Sequence, residues 1–259
     1  MVQGSEWNEA EAAAIDGNGD GAIIVPWAAE ALQADFKRAG SDLILEAPDG
    51  KKLLIKGYFS NIELKDILTA GGAKLPAFVI DRLAGPPAPG LYAQATDSSS
   101  SVAEPIGQIT LVQGIVRIMR SDGAELVAEA GTEIFEGDVV ETKQDAAVGI
   151  EFEDKTTLSL GADARMVLDE FVYNPANNAG NLGVSVLQGA FSFVSGEVAK
   201  LSPDAMTVTT PTATIGIRGT KVAGIAAAEG ELSTISLLPE SDGSVGAIAI
   251  SNDGGSVVL

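Results

Sequence analysis

Residues 209–220 read Thr209-Thr210-Pro211-Thr212-Ala213-Thr214-Ile215-Gly216-Ile217-Arg218-Gly219-Thr220, and no other stretch constrains the fold as strongly. β-Branched threonine and isoleucine favour a strand, because their stiff side chains fit a pleated surface. Gly216 and Gly219 interrupt them, which places a bulge or the close approach of another backbone inside the same element. Arg218 is the only charge between Asp204 and Lys221. Its five donors call for carboxylates or carbonyls of the same domain, so it reads as an ion-paired brace inside a β body. The other reading is an exposed contact for a partner.

Outward from this stretch, short strands recur at regular turn spacing. Upstream they are expected over 106–112, 116–119, 125–128, 138–142, 147–152, 157–160, 165–168, 184–187, 190–193 and 206–209, with turns at Ser121-Asp122-Gly123 and Asp154-Lys155. Phe191 and Phe193 alternate with Ser192, as a half-buried strand requires. Downstream, 231–238 and 245–251 flank Ser241-Asp242-Gly243 and read as a last hairpin. Ser256-Val257-Val258-Leu259 then looks like an unfinished strand of something longer. The pattern is that of an all-β body.

The amino-terminal part differs. Gly85-Pro86-Pro87-Ala88-Pro89-Gly90, followed by Thr96-Asp97 and a serine run, has little to bury and reads as a linker over 85–104. It separates a small β-rich segment, 1–84, from the β domain, 105–259. Within the first segment, 6–15 is alanine- and glutamate-rich and reads as a short helix, as does 27–32. Residues 42–47 and 52–56 flank Pro48-Asp49-Gly50 and form a β-hairpin. Asp16, Asn18 and Asp20 have the D-x-N-x-D-G spacing of a calcium loop, but Trp27 stands where the bidentate glutamate belongs. The loop is therefore a weak calcium candidate at best, and a solvated Asp/Gly turn is the favoured account.

Composition removes most chemistry. The net charge of −20 would repel nucleic acid and anionic membrane alike. With no cysteine and no histidine, thiolate chemistry and the commonest general base are gone. No G-x-S-x-G, S-x-x-K, phosphate-binding glycine loop or dinucleotide fingerprint is present. Carboxylates are dense over 121–170, yet aromatic content is only 5%, too little to line a glycosidase cleft, so they read as a solvated surface. No apolar run is long enough to span a bilayer, and the first residues lack the pattern of a secretory signal. No cofactor other than weakly held calcium is expected.

The stretch TPTATIGIRGT resembles the closing signature of the FecR domain, a bacterial surface-signalling and scaffold module. Glu136-Gly137-Asp138-Val139-Val140-Glu141-Thr142, the run Gly149 to Gly161, and Val186-Leu187-Gln188-Gly189-Ala190-Phe191 fall in that family's order over 106–222. Val172-Tyr173-Asn174-Pro175 resembles the subtype near the start of large secreted repeat proteins of Gram-negative bacteria. Residues 41–59 resemble the prefix of biofilm adhesins. The resemblance implies a compact, solenoid- or sandwich-like β body without enzymatic activity, binding a protein or cell-envelope partner outside the cell or at its surface. Thr214, Gly216, Arg218, Gly219 and Thr220 are its motif residues. The alternative implied is a periplasmic module relaying occupancy of an outer-membrane transporter, although no helical sigma-binding segment or membrane helix is read before residue 106.

Overall fold

The computed structural model describes residues 13–18, 21–87, 104–177, 179–202, 205–227, 231–239, 243, 245–252 and 254–259. Strand accounts for 52% and helix for 11%, so the protein is mainly β, as the sequence predicts. The chain divides into two units, 1–92 and 93–259.

In chain order the first unit contains β1 (Ala13–Asp16), β2 (Ile23–Ile24), α1 (Ala29–Gln33), β3 (Asp35–Ala39), β4 (Asp42–Glu46), β5 (Lys52–Lys56), β6 (Ile67–Leu68), β7 (Lys74–Leu75) and α2 (Ala77–Ala84). The predicted hairpin is β4–β5, with Gly50 at φ +84° in its turn. Leu43, Ile44 and Leu45 on β4 and Leu53, Leu54 and Ile55 on β5 are all buried. Successive strand residues point to opposite faces, so both faces of this pair are covered. β1 runs parallel to β5, and β3 antiparallel to β4. The expected helix over 6–15 is corrected for the part described: Ala13–Asp16 is a strand, because β5 offers it a ladder from Leu53 to Lys56 that outweighs alanine's weak helical preference. Residues 6–12 lie outside the described residues. So do most of the expected linker, 88–103, and part of the expected turn, 241–242.

The second unit continues with β8 (Gly107–Gln113), β9 (Val116–Met119), β10 (Glu125–Val127), β11 (Glu133–Ile134), β12 (Val139–Thr142), β13 (Ala147–Phe152), β14 (Thr157–Leu160), β15 (Arg165–Asn174), β16 (Ala179–Val194), α3 (Val198–Leu201), β17 (Met206–Thr210), β18 (Ala213–Arg218), β19 (Lys221–Ala226), β20 (Thr234–Leu238), β21 (Ala247–Asn252) and β22 (Gly255–Val258). They form one curled sheet, and β16 is its spine. Residues 182–188 of β16 lie beside β15 and pair in part with parallel β17, while 189–194 pair with β19 and in part with β14. One layer is therefore β10-β9-β12-β15-β16-β17-β18-β21-β22, and the other is β11-β8-β13-β14-β16-β19-β20. Between them lies the core, with Ile118, Val140, Met166, Val184, Val208 and Ile215 from the first layer and Ile109, Ile150, Leu158, Phe193 and Val222 from the second.

Gly189 makes the shared strand possible. Its φ of +97° is barred to most side chains, and a Cβ there would overlap Ala164. The separate strands expected over 184–187 and 190–193 are thus one strand bent at a glycine. The hairpin expected from 231–238 and 245–251 does not form either. β20 pairs with β19 in one layer, and β21 pairs with β18 in the other.

Candidate functional site

The stretch 209–220 is a hairpin followed by a corner. β17 and β18 pair across Pro211-Thr212, and Thr210 closes the turn: its Oγ1 donates to the Ala213 carbonyl at 3.0 Å and accepts from the Ala213 N–H at 3.1 Å. Ile215 and Ile217 enter the core, while Thr214 and Gly216 are half-buried on the other face. Gly219, at φ +57°, then turns the chain from β18 in one layer to β19 in the other. Thr220 is fully buried in this corner. Its Oγ1 accepts from Gly246 N–H at 3.3 Å and its carbonyl from Ser195 N–H at 3.2 Å.

Two expectations about this motif change. Arg218 is exposed at the end of β18 and not inside the core, because an outward position beside the corner is open to water, although it keeps an interaction of its own. Gly216 has ordinary room for a Cβ, 3.8 Å from Ala249. The glycine that lets backbones meet is Gly246, where a Cβ would lie 2.5 Å from the Gly219 carbonyl and from Thr220 Cβ.

Several carboxylates of 121–170 are structural, which the sequence reading as a solvated surface missed. Asp154 is fully buried; its oxygens accept from Thr156 N–H at 3.0 Å, Thr156 Oγ1 at 2.7 Å and Val198 N–H at 3.0 Å. Thr156 Oγ1 in turn accepts from Gly196 N–H, so the β13–β14 turn clasps the start of α3. Asp138 is 1% exposed, accepts from Phe135 N–H at 2.9 Å and is paired with Arg120. Burial pushes its carboxyl above the ordinary range, against the pull of that N–H and of Arg120. Arg120 also donates to the Glu133 carbonyl and lies over the Phe135 ring at 4.7 Å. Glu141 on β12 faces Arg165 on β15 at 2.7 Å. Burial raises the Glu141 carboxyl, but Arg165 and Lys143 outweigh it and hold it below the usual value. The available sequence signal was local: Asp154-x-Thr156 is an Asx-turn pattern, and Asp138 sits between a glycine and a valine pair.

The candidate calcium loop is a closed turn where it is described. Asp16 Oδ1 accepts from Asn18 N–H at 2.9 Å and from Asn18 Nδ2 at 3.0 Å, and the backbone bond is the main reason its carboxyl is held below the ordinary value. The Asn18 side chain packs on Gly57, where a Cβ would come within 2.6 Å of it. Lys65 Nζ donates to the Gly17 carbonyl at 3.0 Å. Asp20 lies outside the described residues. Among the described residues, no group of three carboxylates is placed to hold a metal.

Residues 138–239 match the FecR family (FecR protein), a regulatory family linked to the cell envelope. The match runs from Asp138 on the Arg120 clasp through the corner at Gly219 to the residue after β20, and covers less than half of the chain. No curated protein and no solved structure matches. No helix among the described residues is long and apolar enough to cross a membrane.

Proposed function

We propose that this chain is a non-enzymatic, protein-binding module of the bacterial cell envelope. The observation that carries the reading is the FecR match at 138–239, laid over a body in which buried Asp138 and Asp154 hold backbone N–H groups in place. The match favours a periplasmic relay between a partner at the outer membrane and one further in. A specific observation supports the second setting, a scaffold in a cell-surface repeat protein: residues 13–87 fold as a β-rich unit with its own buried hairpin instead of a helical bundle. The exposed motif residue Arg218, beside Gly219, is the proposed partner contact, and 85–104 the proposed boundary between domains. The test is to locate the protein in intact cells that produce it, by antibody and protease accessibility. Cleavage on intact cells supports the surface scaffold, protection until the outer membrane is opened supports the periplasmic relay, and recovery from the cytosol overturns both.

A further inference from the structure

We draw no further inference here: the strongest candidate, the cleft beside Gln108 on β8 that Glu133, Glu151, Glu153 and Lys155 line, is a surface cluster of acidic residues in which Lys155 already pairs with Glu151, and among the described residues that line it no buried polar side chain is left without a partner to point to a ligand.

Discussion

Asp154 and Val198 are joined by a 3.0 Å hydrogen bond from the Val198 N–H to Asp154 Oδ2, across 44 residues of chain. The bond ties the turn between β13 and β14 to the first turn of α3. Because the group is fully buried, its removal leaves Thr156 N–H, Thr156 Oγ1 and Val198 N–H without an acceptor, at about 1–3 kcal/mol for each such group. Asp154→Ala should therefore cost at least ~3 kcal/mol of stability by urea denaturation, with an unchanged slope. Asp154→Asn keeps one oxygen and should fall between the two. Parity of Asp154→Ala with the parent would show that the clasp contributes nothing.

Three glycines should separate by cause. Gly189→Ala meets both a forbidden φ and the Ala164 side chain, so a loss of more than ~3 kcal/mol is expected. Gly219→Ala meets only the φ of +57°, with nothing within 4 Å, and should cost about 1 kcal/mol. Gly216→Ala has normal φ and ordinary room, and should lie within about 0.5 kcal/mol of the parent. Ranking the three denaturation midpoints tests the bend and the corner together.

These residues also show what the sequence could and could not reveal. The β4–β5 hairpin was legible because its signal, an Asp-Gly turn between apolar runs, is entirely local. The continuity of β16 was not, since Gly189 looks the same in sequence whether it ends a strand or bends one. Pairing of β20 with β21 was wrongly expected because proximity in sequence was the only guide. The corner at Gly219 sends β18 and β19 to different layers, and each later strand follows its own partner. Asp138 and Asp154 were hidden among solvated acids, because burial of a carboxylate depends on donors brought from distant turns. At the candidate site, the motif's outline was legible while the exposure of Arg218 and the role of Gly246 were not.

The pH dependence follows from Glu141. Its folded carboxyl is held below the ordinary 4.5, so it adds stability above that value, and the gain is lost as pH falls through and below it. Asp138 has the opposite sign: its value is raised by burial above 3.8, so its contribution improves as pH falls through the same region. Glu141→Gln should lower the thermal midpoint at neutral pH, leaving Arg165 short of a charge partner, and the deficit should shrink toward about pH 3. A deficit constant across the range would mean that the Glu141 charge is not coupled to folding.

Arg218→Ala should cost no more than about 1 kcal/mol, because the interaction made by its exposed side chain is screened by water. Thr220→Ala, two residues on, removes a buried acceptor from Gly246 N–H and should cost about 1–3 kcal/mol. The contrast makes Arg218 a better probe of partner binding than Thr220. A large loss for Arg218→Ala would restore the structural brace and remove the residue from the proposed contact.

Calcium offers the last test. Asp16 Oδ1 is already engaged twice by Asn18, and the Gly17 carbonyl accepts from Lys65, so a cation at this turn would compete with hydrogen bonds and with a nearby ammonium. Trp27 supplies no bidentate oxygen. Divalent ions should then act through the −20 net charge alone, relieving self-repulsion without a dedicated site. Thermal unfolding in calcium and in magnesium at matched ionic strength is expected to give equal, modest stabilisation, unchanged by Asp16→Asn. A shift found with calcium only, and abolished by Asp16→Asn, would show that the loop rearranges around the ion. Asp16 would then be a ligand, and the hydrogen bonds from Asn18 would mark the ion-free form of the turn.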